Sequence, residues 1–133
     1  MRLAHSALLL VLVSACSASG TTDLNAFCTD VATGSRDEVT VQGTVARVLG
    51  VRTGRSDAHE GFLMRVACPS PVVVRVEANT SFTGTFDLRN GQTVTVRGEY
   101  VRDRSGGVIH WTHRDPRGRH PGGYIDLNGT RYQ

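Results

Sequence analysis

Lysine is missing from all 133 residues, so the whole basic complement is arginine, fifteen residues against twelve Asp and Glu. The formal charge of +3 is small, which gives only mild support to a nucleic-acid partner. Aromatic residues are scarce, and a single tryptophan makes a thin platform for stacking bases. The one long apolar run, Ala7 to Val13, is far below the roughly 20 residues a membrane-spanning helix needs. Of the three cysteines, none has a second cysteine at metal-ligand spacing, which excludes a cysteine-based zinc module. No stretch after residue 37 keeps a helical period, which excludes an all-helical domain. No serine, threonine or cysteine stands in a recognisable nucleophile motif.

Arg2, the apolar run and Ser14-Ala15-Cys16 form the charged, apolar and small-residue zones of an export signal. Val13-Ser14-Ala15-Cys16 is similar to a bacterial lipobox. Residues 1–15 are therefore expected to be a lipoprotein signal peptide, with Cys16 lipidated and residues 16–36 a polar tether. Acyl chains that bury ~0.8 kcal/mol per methylene would hold the protein at the outside of the bacterial cell membrane without spanning it. Setting Cys16 aside leaves Cys28 and Cys68, and an oxidising compartment favours a disulfide over two free thiols.

From Asp37 onward the chain reads as one all-β domain, residues 37–133, and a monomer is expected. Val39, Val41 and Val45 alternate with polar residues, with Gly43 as a bend or bulge, in a first strand that runs to about Val51. Thr53 to Glu60 reads as a loop, Phe62 to Ala67 as a second strand, and Val72 to Glu77, after Pro69-Ser70-Pro71, as a third. Asn90-Gly91 turns into a fourth strand, Thr93 to Arg102, and Ser105-Gly106-Gly107 into a fifth, Val108 to Trp111. Five short strands with the longest connection between the third and fourth predict a small OB-like Greek-key barrel with little helix.

His110 to Tyr124 holds three of the five histidines, the tryptophan, one carboxylate and three arginines. An unbroken strand would place His110 and His113 on opposite faces; the two converge only if the strand ends or bulges near Thr112. His113, Asp115 and His120, on or beside the glycine-rich loop, form the better ligand set for a divalent ion such as zinc, with His59 as an added ligand. A histidine and an aspartate can also act as general base and orienting carboxylate. A two-histidine phosphoesterase signature is excluded, because His110-Trp111-Thr112 has no second His-x-Thr. Arg114, Arg117 and Arg119 with Trp111 and His110 suit a phosphate or another small anion.

Gly98-Glu99-Tyr100, Gly106-Gly107-Val108-Ile109, His59-Glu60-Gly61-Phe62 and the whole of His110 to Ile125 resemble the bacterial domain of unknown function 3465. The resemblance spans about Val39 to Gln133 and implies a small exported protein with an OB-like barrel. It implies no activity. Tyr124 replaces an expected tryptophan, and Cys68 to Arg89 departs from the family pattern, so the Cys28–Cys68 pairing is not something the resemblance implies.

The sequence thus predicts an envelope lipoprotein whose barrel binds a metal or a small charged ligand through the histidine loop. The alternatives are a metal-dependent phosphodiester hydrolase, with His59 or His110 as base, and an OB module for nucleic acid or oligosaccharide.

Overall fold

Valine at alternate positions turns one face of the first strand inward: Val39, Val41 and Val45 are buried while Gln42 and Thr44 are exposed. That is the pattern of a strand buried on one side. The computed structural model describes residues 22–133; the expected signal peptide and lipobox-like segment, with Cys16, lie outside the described residues. Within it run β1 (Asp37–Thr53), β2 (Ala58–Val66), β3 (Val72–Asn79), β4 (Thr93–Val101) and β5 (Val108–His110).

β1 pairs antiparallel with both β2 and β4, β2 with β3, and β4 with β5, while β3 and β5 run parallel. The ring closes as β1-β2-β3-β5-β4, the five-stranded OB-like barrel that the sequence predicts. Its interior is filled by Phe62, Met64, Val74, Val76, Tyr100 and Ile109, all fully buried. Gly43 permits a close crossing, since a Cβ there would meet the Arg65 carbonyl and the Met64 side chain. The register shifts of β1 come later, between Val45 and Arg47 and between Val48 and Gly50. The first loop is shorter than expected, because β2 already starts at Ala58 and carries His59 and Glu60. The third connection holds only one helical turn, α2 (Thr80–Thr83), capped by the Asn79 side chain.

Three elements lie outside the five-strand reading. Helix α1 (Leu24–Thr33) occupies the segment expected to be tether, with Asp23 as its N-cap and Gly34 in the left-handed conformation at its end. Leu24, Phe27, Cys28 and Val31 recur at helical spacing. Phe27 is fully buried and meets Tyr100 edge to face at 5.4 Å, a burial that contributes about 1.5 to 3 kcal/mol. Its neighbour Cys28 is bonded to Cys68. Strands β6 (Tyr124–Leu127) and β7 (Thr130–Tyr132) form a hairpin across Asn128-Gly129, where both residues adopt positive φ.

β5 and β6 lie end to end along one edge of β4. β5 takes Glu99 to Val101 and β6 takes Val94 to Arg97. Gly98 faces the gap between them, and a Cβ there would run into the His110 carbonyl. Residues 111–123, the histidine loop, leave the sheet at this gap. Among the described residues no helix is long and apolar enough to cross a membrane.

Candidate functional site

β5 stops at His110 because Trp111 adopts a φ of 54°, a left-handed conformation that bulky side chains rarely take. The turn cancels strand parity, so His110, Trp111 and His113 line one cleft instead of opposite faces. The fully buried Thr112 donates its hydroxyl to the Glu77 carbonyl at 3.0 Å, tying the loop to β3. The Gly123 amide donates to the His113 carbonyl at 2.9 Å and closes the neck.

Asp115 organises the tip. Its Oδ1 accepts the Arg117 amide at 2.9 Å, and its Oδ2 accepts the amides of Arg119 and His120. The side chain is only 1% exposed. Burial works to raise this carboxyl, but the three amides and the Arg119 guanidinium outweigh it and hold it at about 2.

His113 Nδ1 donates to the Arg114 carbonyl and His120 Nδ1 to the Pro121 carbonyl, each at 2.8 Å. A carbonyl only accepts, so both neutral rings carry their lone pair on Nε2. His113 stacks on Phe82 at 4.4 Å, His120 stacks on Trp111 at 4.6 Å, and the two imidazoles meet edge to face at 5.1 Å. His110 is held differently. Its Nε2 lies 2.7 Å from Glu99 Oε2, out of line for a full hydrogen bond, so the contact is an ion pair when the ring is protonated. Arg36 grips Glu99 with two hydrogen bonds of 2.7 and 2.8 Å. Those bonds hold the Glu99 carboxyl below the usual range against the opposing effect of burial. Glu38, directly across β1 from Glu99, is pushed the other way by burial and then by the Glu99 charge. One of the two neighbouring carboxylates is thereby kept ionised at the expense of the other.

Arg36, Phe82 and the three histidines with Trp111 line an open cleft of about 1360 Å³ on the outer face of the barrel. Arg52 on β1, His59 on β2, Arg75, Glu77 and Asn79 on β3 and His110 on β5 contribute to it, together with the loop residues Trp111, His113, Asp115, Arg117, Arg119 and His120. Glu77 Oε1 accepts a hydrogen bond from Arg52 Nη2 at 2.6 Å and lies 3.3 Å from Arg75 Nε, an ion pair out of line for a hydrogen bond. Two guanidiniums therefore share one carboxylate oxygen.

Of the residues expected to bind a ligand, His59, His110, Trp111, Arg117 and Arg119 line the cleft, whereas Arg114 is exposed and stands apart from it. His113, Asp115 and His120 do come together, but Asp115 has both oxygens committed to loop amides. Among the described residues no three His, Cys, Asp or Glu side chains form a group able to hold a metal ion. The trio therefore does not fit a divalent ion such as zinc. Glu60, next to His59, turns inward and accepts the Phe86 amide. The indole of Trp111 stacks on His120 at 4.6 Å and contacts His110 at 4.9 Å.

Arg36, Arg52, Arg75, Glu77 and Phe82 were not read from the sequence as site residues. The strand members among them occupy ordinary outward positions, and only closure of the barrel brings them beside the loop. No curated protein and no solved structure matches the chain. The family resemblance seen in residues 39–133 holds and reaches further than those motifs suggested: the chain belongs to the family described as protein of unknown function (DUF3465), whose model matches residues 8–133 and so takes in α1 and both bonded cysteines as well as the barrel.

Proposed function

We propose that this domain binds a small anionic ligand in the cleft and is carried at the outside of the bacterial cell membrane by a lipid on Cys16. The distribution of charge carries the first part. Residues 22–133 hold fourteen arginines and twelve carboxylates, of which five and three line the cleft, leaving nine of each elsewhere. The domain's entire side-chain excess of positive charge thus belongs to one concave surface, where low-dielectric walls focus the field. Arg52 and Arg75 share a single carboxylate and retain further N–H groups for an anion, and guanidinium forks suit phosphate or carboxylate oxygens. The lipobox-like residues 13–16 and a bonded cysteine pair, which suits an oxidising compartment, support the second part.

Calorimetric titration of the full chain with inorganic phosphate and pyrophosphate at low salt tests the binding. Arg52→Ala combined with Arg75→Ala is expected to weaken it at least about 10-fold, since a hydrogen bond to a charged group contributes about 1.5 to 3 kcal/mol. Absence of binding, or equal binding by the double variant, refutes the reading. For the anchor, Cys16→Ser is expected to release the protein from the membrane fraction.

A further inference from the structure

We infer that the cleft hydrolyses phosphodiesters, with His110 as the general base that deprotonates the attacking water. The inference rests on the anion-binding reading and adds to it an activity and a substrate class.

His110 is a cleft-lining imidazole held by a carboxylate on the neighbouring strand. His110 and Glu99 are register partners on β5 and β4, so the sheet sets their geometry, which holds a site more tightly than a loop does. Glu99 is clamped by two hydrogen bonds from Arg36 and its side chain is only 13% exposed, which fixes both its orientation and its charge. Nε2 of His110 is buried beside this carboxylate, yet the side chain is 31% exposed and lines the cleft. With the proton on Nε2 toward Glu99, the lone pair is on Nδ1. Such a contact is often poorly aligned before substrate binds and tightens as the imidazolium forms. Glu99 acts through His110 and is a positioning residue.

The substrate class follows from the charge beside this base. The parallel register of β3 and β5, Arg75 with Val108 and Val76 with Ile109, continues to set Glu77 next to His110, with Arg75 one pleat away on the same face. Arg52, Arg75 and the shared Glu77 together carry one net positive charge. That neutralises the single negative charge of a phosphodiester, and the open cleft of about 1360 Å³ leaves room for both of its ester arms. In the step, a water oxygen forms a bond to phosphorus while its proton passes to His110. The bond from phosphorus to the leaving oxygen breaks, that oxygen keeps the electron pair, and the imidazolium returns the proton to it. The products are a phosphate monoester and an alcohol, and no oxidant, reductant or further co-reactant is consumed.

The test uses the full chain in the presence of EDTA with bis(4-nitrophenyl) phosphate, following release of 4-nitrophenolate, with inorganic phosphate binding measured in parallel. Wild type is expected to turn over. His110→Asn is expected to lose about 100-fold or more in kcat, the range of general-base catalysis, while still binding phosphate. Glu99→Gln should lower kcat with KM and the stoichiometry of phosphate binding unchanged, and Glu99→Asp should recover part of the loss; simple destabilisation would lower the binding stoichiometry in step with kcat. Phosphate binding without diester turnover in wild type overturns the hydrolytic inference and leaves the anion reading standing. Absence of phosphate binding overturns both, and turnover that His110→Asn leaves unchanged overturns the role given to His110.

Discussion

Opening the Cys28–Cys68 bond releases a loop with a sequence separation of 40 residues. The chain-entropy relation for cross-links gives a loss of about 4 kcal/mol for a loop of that size. Small domains have only about 5 to 15 kcal/mol in total, so the reduced protein is expected to be marginal. Spread over the described residues 22–133, at an unfolding entropy of about 2.1 cal/mol/K per residue, the loss corresponds to a fall in Tm of roughly 15 °C. Trp111, the only tryptophan, sits in the cleft wall and reports unfolding by fluorescence without added label. Urea denaturation of the wild type with and without reductant compares the same side chains in both arms, which a cysteine-to-alanine pair does not. The reduced arm should unfold at lower urea and with a steeper slope, because an unconstrained denatured chain exposes more surface. A loss below about 1 kcal/mol with an unchanged slope would contradict the assumption that the bond restricts the unfolded ensemble.

Two further outcomes follow from the loop. Asp115 has its folded carboxyl at about 2, below the roughly 3.9 of an unfolded chain, so its contribution is complete above about pH 4 and fades as the pH falls toward 2. Thermal melts of wild type and Asp115→Asn between pH 2 and 7 should show the wild-type advantage at neutral pH shrinking through that window; a constant gap down to pH 2 contradicts the argument. In Gly123→Ala the new Cβ would meet the carbonyls of Trp111 and Arg97 and the Thr112 Cα, backbone atoms that cannot swing aside. The variant should show shifted Trp111 emission and weaker phosphate binding, and native values of both refute the tight neck.

Four of the five barrel strands were legible because each is long enough to display a period of two, and because the inward valines of β1, β3 and β4 alternate with Thr, Arg and Glu; β5, three residues long, was marked instead by the Ser105-Gly106-Gly107 turn before it. Topology followed from the single long connection between β3 and β4. Helix α1 was readable and was missed. Leu24, Phe27, Cys28 and Val31 trace a helical stripe between an Asp23 cap and a Gly34 stop, but the surrounding Ser and Thr lend the segment the composition of a linker. β6 and β7 are too short to show periodicity, and Asn128-Gly129 was their sole local mark. At the site, the histidine loop could be located from composition, whereas the left-handed Trp111 that aims it could not. Nor could the Arg52–Glu77–Arg75 group. Its members come from two strands that are not sequence neighbours in pairing, and an arginine on an outward strand position looks the same whether it faces water or a cleft.

The end-to-end arrangement of β5 and β6 has a consequence for redesign of the loop. The chain leaves β4's edge opposite Glu99 and returns opposite Arg97, so the whole excursion hangs from two anchor points separated by one glycine. Doubling the length of such a loop costs only about 0.6 kcal/mol in closure entropy, and neither anchor moves when its tip is exchanged. The tip, residues 114–121, can therefore be exchanged experimentally while barrel, register and the Thr112 and Gly123 contacts at the neck stay the same.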